Sequence, residues 1–205
     1  DWPASRQRCS RQQGPAPVCV PSCRQENSRA YIPRAALMTV IFMVASWISV
    51  PIPPVTVHFL FVGLMGLMLG YYAYPAILIA LIFQAVMFQH GGITTIGVNS
   101  VCFGLPALLA HSWFGWIVQK MGMSVKKLGI VGFFAGMFGT ALSVLIFFTI
   151  LILFIPADLN VVAEQRAIAL LSLAHIPLIV AEGVFSALLL MYLYRIKPKL
   201  FEAFI

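Results

Sequence analysis

The chain contains no Asp, Glu, Lys or Arg between Arg34 and Lys120. Across all 205 residues, 9% are charged and 61% are hydrophobic, and the mean hydropathy is +0.96. Because soluble domains carry about 25% charged residues, this composition indicates an integral membrane protein. The apolar runs are continuous and do not alternate with polar residues, so we expect helical spans and not a transmembrane barrel. The predicted fold class is all-α, a polytopic membrane helix bundle.

Six spans can be read from the apolar runs and from the prolines and polar segments between them. Their predicted bounds are Arg34–Val50, Val57–Gly70, Tyr71–Phe88, Val101–Gln119, Leu128–Ile155 and Ala167–Tyr194, the last interrupted at Pro177. The Pro-rich segment 51–54 separates the first two spans, because proline lacks a backbone donor and fixes φ. Glycines in the short second span, at positions 63, 66 and 70, predict close packing of neighbouring helices.

The formal net charge of +7 comes largely from basic residues near the ends of the predicted spans. Basic residues precede the first span, separate the fourth from the fifth, and follow the sixth. Six spans place these three clusters on one face, which the positive-inside rule makes cytoplasmic. The charge therefore predicts contact with a lipid bilayer and no nucleic-acid partner.

Residues 1–30 differ from the rest of the chain, since they are rich in Arg, Gln, Pro and Ser and contain no run that could cross a bilayer. Two interpretations stay open. The segment is a disordered basic tail, or it is a mis-assigned stretch of sequence, such as a frameshift or a tag remnant. The predicted organisation is an anomalous segment, 1–30, followed by a transmembrane domain, 31–205.

A polar, Gly-rich segment, His90–Asn99, lies between two long apolar runs. Non-helical backbone near a bilayer is tolerated where protein buries it or where it lines a cavity. This segment is therefore the first candidate for a functional site. The predicted topology places His58 near the same, outer face, and His175 enters the sixth span from that side.

Imidazole side chains suit Co, Ni, Cu and Zn, so His58 and His90 are the candidate metal ligands. Thr94, Thr95 and Asn99 would accept hydrogen bonds that orient such ligands. The alternatives are structural. His58 would bond a backbone carbonyl, His90 would interact with the C-terminal dipole of the third span, and Asn99 or Ser100 would cap the fourth span.

Three further residues are ionisable groups inside predicted spans. We expect a packing role for His111, which lies deeper in the fourth span beside Trp113. His175 would support the ligands or form a bond between helices. Glu182 predicts a buried polar contact between helices, with His175, seven residues earlier, as a candidate partner.

Sequence signatures of common enzymes are missing. The chain has no HExxH pair, no Walker A loop and no GxSxG segment, so it is predicted to be neither a zinc protease nor an ATPase nor a serine hydrolase. No internal repeat is found, which disfavours a secondary transporter for a small organic solute.

Several segments form one recognisable pattern across about residues 31–200. They are Ile32-Pro33-Arg34-Ala35-Ala36-Leu37, Ile52-Pro53-Pro54 with Val57-His58, Gln84-Ala85-Val86-Met87-Phe88, His90-Gly91-Gly92-Ile93-Thr94-Thr95-Ile96-Gly97-Val98-Asn99 and Ala174-His175-Ile176-Pro177-Leu178 with Glu182-Gly183. This pattern resembles the CbiM/NikM family, the cobalt- and nickel-specific substrate-binding (S) components of energy-coupling-factor (ECF) type ABC importers. The loop from His90 to Asn99 is the most specific part of the resemblance.

The resemblance implies a bundle of seven helices in the bacterial inner membrane, with Co²⁺ or Ni²⁺ as the transported substrate. It also implies a transmembrane coupling subunit, ATPase subunits and a small accessory membrane subunit as partners, and a supply of cobalt to cobalamin biosynthesis. Family members hold the metal with an N-terminal Met-His and a His after the Pro-rich loop. The latter corresponds to His58, whereas this chain begins Asp1-Trp2-Pro3 and offers no counterpart of the former or of the first helix.

The predicted function is therefore capture of Co²⁺ near the outer face, for import driven by the ATPase subunits. A nickel-specific version of the same importer is the first alternative. A structural membrane subunit without a ligand, whose histidines all serve packing, is the second.

Overall fold

The computed structural model describes residues 22–52, 55–88, 92–121, 124–155 and 160–196. The helices are α1 (Ser22–Ala45), α2 (Val62–Leu69), α3 (Ala73–Phe88), α4 (Ile96–Met121), α5 (Val125–Leu153) and α6 (Val161–Ile196), with a short 3₁₀ turn at Gly70–Tyr72. Two short strands, β1 (Ser49–Ile52) and β2 (Val55–His58), lie between α1 and α2. The all-α class is confirmed, with one small hairpin inserted into it.

The hairpin corrects the predicted bounds of the first two spans. α1 ends at Ala45 and not at Val50, and α2 begins at Val62 and not at Val57. β1 and β2 pair antiparallel, with Ser49 opposite His58. The reason is local, because β-branched residues and prolines dominate the stretch between the two helices and favour extended backbone. A short apolar run cannot be assigned to helix or strand by periodicity alone.

Helix α2 lies at the centre of the bundle, and all eight of its residues are buried. A Cβ at Gly63 would lie 1.9 Å from the carbonyl oxygen of Ala135 in α5, and one at Gly66 would lie 2.1 Å from that of Ala107 in α4. Any side chain at these positions would therefore overlap neighbouring backbone. The close packing predicted from the glycines of the second span is confirmed.

The chain reverses direction after α2. Gly66 lies against Ala107 and Gly70 against His111, so α2 and α4 run the same way. Gly104 lies against the ring of Tyr74, so α3 returns toward the beginning of α4. The turn requires Gly70, whose φ of 60° lies in the left-handed region.

Helix length distinguishes the six predicted spans, the second of which the sequence already predicted to be short. Four apolar segments of the described chain are long enough to cross a membrane: Val62–Met87, Ile96–Ile117, Val125–Leu153 and Val161–Ile196. The first of these segments contains both α2 and α3, and the chain reverses direction within it at Gly70. The eight residues of α2 extend about 12 Å, well below the roughly 30 Å of a bilayer core. The apolar part of α1, Ile32–Ala45, is also shorter than a full span.

The last three predicted spans correspond to α4, α5 and α6, and two details differ. α4 begins at Ile96, inside the segment predicted as a loop, and α6 continues through Pro177 without interruption. Proline is tolerated within membrane helices, because neighbouring helices, hydroxyl side chains and water can satisfy the backbone groups that it leaves without a partner. Leu145 of α5 and Leu188 of α6 are 63% and 57% exposed. Such apolar exposure is unfavourable in water and suits a lipid-facing surface.

Contacts between helices define two ends of the bundle. α5 and α6 are antiparallel, since Gly183 lies against Met137 and Gly129 against Met191. We call the end that holds His58, the start of α4 and the start of α6 the outer end. The opposite, inner end holds Gly70, the end of α4 with Lys120, and the end of α6 with Arg195. Lys120 and Arg195, in the last turns of α4 and α6, thus lie at the same end of the bundle, as the predicted topology requires.

Candidate functional site

A small cavity lies near the outer end, between the hairpin and helices α4, α5 and α6. Its volume is about 150 Å³. Two imidazoles and one hydroxyl line it together with apolar side chains: His58, His175, Ser143, Leu60, Phe103, Val144, Phe147 and Phe148. Pockets for drug-sized ligands measure about 300–1,000 Å³, and a water molecule takes about 30 Å³ of liquid. The cavity therefore has room for an ion with a few waters.

His175 occupies the outer half of α6, and one of its ring nitrogens is engaged. Its Nδ1 lies 2.7 Å from the carbonyl oxygen of Leu171, one helical turn earlier. Because a carbonyl only accepts, Nδ1 carries the proton in this bond and the neutral ring keeps a lone pair on Nε2. The ring of Phe148 stands edge-on to the imidazole, with centroids 5.7 Å apart. From the sequence, His175 was predicted to support other ligands. In the structure, His175 itself lines the cavity.

His58 reaches the same cavity from a different element. It is the last residue of β2 and is partly buried. The backbone turns immediately afterwards, and Phe61 adopts a left-handed conformation with φ of 47° just before α2 begins. Non-glycine residues adopt this conformation rarely, so other contacts must hold the turn.

Glu182 supplies those contacts from α6. Its carboxyl group is fully buried and accepts hydrogen bonds from the N–H of Leu60, from the N–H of Phe61 at 3.1 Å, and from the hydroxyl of Thr140 in α5. A carboxyl at the beginning of α2 also interacts favourably with the positive end of the helix dipole. The predicted buried contact between helices is confirmed, but the candidate partner His175 was wrong. The two bonds from the N–H groups of Leu60 and Phe61 to Glu182 connect α6 to the segment that carries His58.

The polar loop is described in part. His90 lies outside the described residues, and its predicted role as a ligand stays a prediction. Thr94 and Thr95 are exposed, and the hydroxyl of Thr95 donates to the carbonyl of Gly92 at 3.1 Å. Asn99 lies within the first turn of α4 and donates its N–H to the carbonyl of Thr95 at 2.9 Å.

The polar loop and the histidine cavity have no lining residue in common in the described part of the chain. Thr94, Thr95 and Asn99 are not among the residues that line it, and their predicted role of orienting ligands stays a prediction. The alternative of a cap at Asn99 or Ser100 is wrong, because α4 already begins at Ile96. Ser100 instead donates its hydroxyl to the carbonyl of Gly97 at 2.8 Å.

His111 lies at the inner end and has a different environment. Its ring lies 3.1 Å from where a Cβ on Gly70 would be and edge-on to Tyr71, at 5.0 Å between centroids. Among the described residues, neither this end nor the outer cavity has a group of three or more His, Cys, Asp or Glu side chains that could hold a metal. A packing role for His111, as the sequence predicted, is consistent with this geometry.

The sequence analysis missed two residues that shape the site, Thr140 and Ser143. Both are buried polar residues on α5, and Ser143 donates to the carbonyl of Gly139 at 2.9 Å. Their spacing of three places them on one helix face. That pair of buried polar residues, near the middle of a mainly apolar span, is the signal that could have identified the wall of the cavity.

Comparisons with known proteins agree with this architecture. The family model described as CbiM, "Cobalt uptake substrate-specific transmembrane region", matches residues 16–200. A Haemophilus influenzae protein named for metal transport is 32% identical over 185 residues, which cover 90% of this chain and 85% of that protein. The cobalt transport protein CbiM of Propionibacterium freudenreichii is 32% identical over 132 residues, 62% of this chain and 53% of that protein.

Two crystal structures share the fold. One, titled as a transition metal transporter, has a TM-score of 0.63 at 20% identity and covers 86% of this chain and 82% of its own. The other, titled as a truncated transition metal transporter, has a TM-score of 0.62 at 20% identity, with 84% and 86% covered. The predicted division at residue 30 falls inside both the family match and α1, and the mis-assignment of residues 1–30 stays a prediction. The chain is a multi-pass membrane component of metal uptake, and it belongs to the CbiM family.

Proposed function

We propose that this chain captures Co²⁺ in the cavity at the outer end and presents it to partner subunits for ATP-driven import across the bacterial inner membrane. The observation that carries the proposal is the meeting of His58 and His175 in one cavity of about 150 Å³. Imidazole nitrogen suits cobalt and nickel, whereas Mg²⁺ and Ca²⁺ prefer oxygen ligands. His90 is proposed as a further ligand or as a support for one.

The energy for import must come from other subunits in this proposal, because the sequence has no phosphate-binding loop. The partners are a transmembrane coupling subunit, ATPase subunits and a small accessory membrane subunit. They would move this subunit in the membrane and expose the cavity to the cytoplasm, where the cobalt would supply cobalamin biosynthesis.

Cobalt is preferred to nickel on the names of the relatives and not on the geometry. The family description and the Propionibacterium protein both specify cobalt. Two imidazoles suit Ni²⁺ equally well, so the nickel-specific importer is the second candidate. A subunit without a ligand has no comparable support, because two histidines from distant parts of the sequence share one cavity.

The proposal predicts uptake that depends on this chain and on ATP hydrolysis. The chain would be expressed with the coupling and ATPase subunits of a CbiM-type importer in cells that lack their own cobalt uptake, and radioactive Co²⁺ accumulation would be measured. We expect accumulation to disappear with His58→Gln and with an inactive ATPase, and to persist with the matched variant His111→Gln. Competition by unlabelled Ni²⁺ stronger than that by Co²⁺ would favour the nickel importer. Accumulation unchanged by His58→Gln would refute the proposal.

A further inference from the structure

We propose that Glu182 is a positioning residue of the metal site, because its carboxyl group fixes the turn that directly follows His58. This inference deepens the proposed function and rests on it. Glu182 is not among the described residues that line the cavity. It would therefore act on the bound cation through the backbone of Leu60 and Phe61 and not by coordination.

The backbone around His58 is held from both sides. On one side, the pairing of β1 with β2 places His58 opposite Ser49. On the other side, the N–H groups of Leu60 and Phe61 donate to the carboxyl of Glu182 in α6. An extended chain advances at most about 3.6 Å per residue, so the bond at Leu60 lies within about 7 Å of the His58 backbone. A shift of this anchor would therefore displace the imidazole as well.

Leu60 connects the anchor to the cavity. Its N–H donates to Glu182, and Leu60 lines the same cavity as His58. The carboxyl itself is fully buried, so water does not compete with these donors for its oxygens. The wall of the cavity and the anchor of the turn thus belong to one short segment, and Glu182 controls the position of both.

The turn needs an external partner, since its conformation is unfavourable by itself. Phe61 has φ of 47° and ψ of 30°, a left-handed conformation that a residue with a Cβ rarely adopts. Phe61 also occupies the N-cap position of α2, where its apolar side chain cannot accept a hydrogen bond. An apolar residue at position 182 would leave the N–H groups of Leu60 and Phe61 without their acceptor. Loss of the carboxyl should therefore release the turn.

A role limited to packing between helices does not account for these bonds. Glu182 also accepts from the hydroxyl of Thr140 in α5, and α5 and α6 are already in close contact, because a Cβ at Gly136 would lie 2.9 Å from the carbonyl oxygen of Glu182. Hydroxyl side chains suffice to join membrane helices, and an ionisable group is costly there. The two bonds to the backbone of a distant segment are the contacts that a carboxyl adds.

Two substitutions at Glu182 and a matched control on the same helix test the inference on the full chain, purified in detergent. Glu182→Met keeps a side chain of similar length and removes both oxygens, whereas Glu182→Gln keeps one acceptor oxygen. The control Leu190→Ala creates a packing defect at a side chain that is 1% exposed. Leu190 lies about two helical turns from Glu182 toward the inner end. The control therefore separates release of the turn from a general loss of stability in α6.

Hydrogen–deuterium exchange, followed by mass spectrometry, measures the protection of the N–H groups of Leu60 and Phe61. We expect faster exchange in the peptide that contains them in Glu182→Met, an intermediate rate in Glu182→Gln, and the unmodified rate in Leu190→Ala. Unchanged exchange in Glu182→Met would overturn the inference, because the turn would then not depend on the carboxyl.

Co²⁺ titration of the same samples measures the effect on the transported ion. Outer contacts that orient a metal ligand change affinity by roughly 10–100-fold. Co²⁺ affinity should fall by a factor in this range in Glu182→Met and stay unchanged in Leu190→Ala. Retained affinity in Glu182→Met, or an equal loss in Leu190→Ala, would overturn the inference and leave the proposed function intact. No Co²⁺ binding to the unmodified chain would refute both.

Discussion

The outer and inner ends of this bundle each place a histidine beside an aromatic ring, with opposite consequences. At the outer end, His175 has Phe148 edge-on and a carbonyl partner for Nδ1, and it shares a cavity with His58. At the inner end, His111 has Tyr71 edge-on and packs against Gly70. Its Nδ1 is buried and has no hydrogen-bond partner among the described residues.

The groups that surround each histidine in this bundle therefore determine its role. The outer histidines lie where a buried carboxyl, a hydroxyl and two backbone N–H groups fix a turn. The inner histidine lies where a glycine in the left-handed region lets the chain reverse. We therefore expect changes at the outer end to affect metal binding and stability together, and changes at the inner end to affect stability alone.

Glu182→Ala should have the largest effect, because it removes the acceptor of two buried donors and one partly buried donor. An unsatisfied buried donor costs about 1–3 kcal/mol, so we expect the loss of three bonds to lower the free energy of unfolding by at least about 3 kcal/mol. Co²⁺ affinity should fall as well, since the segment after His58 loses its anchor. Denaturant titration in detergent and Co²⁺ titration calorimetry would measure the two effects.

Thr140→Val is the graded control for this change. It removes one donor at nearly constant volume, so the loss of stability should be about 1 kcal/mol. An equal loss in both variants would mean that the two backbone N–H groups do not depend on Glu182.

Gly70→Ala should have an intermediate effect confined to stability. Gly70 has φ of 60° and ψ of −131°, a sparsely populated conformation that costs a residue with a Cβ about 1–3 kcal/mol, and the new methyl group would lie 3.1 Å from the His111 ring. We expect an equivalent loss in the free energy of unfolding, measured by denaturant titration, with Co²⁺ affinity unchanged.

Gly97→Ala is the matched control for Gly70→Ala. No atom lies within 4 Å of a Cβ at Gly97, which is in the first turns of α4. Because Ala favours helix over Gly, this variant should be at least as stable as the unmodified chain. A loss of Co²⁺ affinity in Gly70→Ala would contradict the expectation that changes at the inner end affect stability alone.

The long helices were predictable from the sequence, whereas their exact bounds were not. Uncharged apolar runs specify α4, α5 and α6 because a bilayer leaves few alternatives to a helix. The hairpin at Ser49–His58 was missed, since proline and β-branched residues signalled only a break. The reversal at Gly70 was placed correctly, but the eight-residue length of α2 depends on which neighbours bury it.

The candidate site was predictable in its chemistry and not in its pairings. His58 was identified from its position after the Pro-rich break, and it lines the cavity. Spacing along α6 suggested His175 as the partner of Glu182, yet the carboxyl binds backbone N–H groups 121 and 122 residues away in sequence. Contacts at that separation depend on how the helices pack, which local patterns do not encode.

Co²⁺ titration calorimetry on the purified full chain and on the matched variants His58→Gln and His111→Gln would decide whether the metal binds at the outer end. We expect one Co²⁺ per chain, similar affinity in the unmodified chain and in His111→Gln, and loss of binding in His58→Gln. Binding that survives His58→Gln but disappears in His111→Gln would place the metal at the inner end and refute capture of Co²⁺ at the outer end.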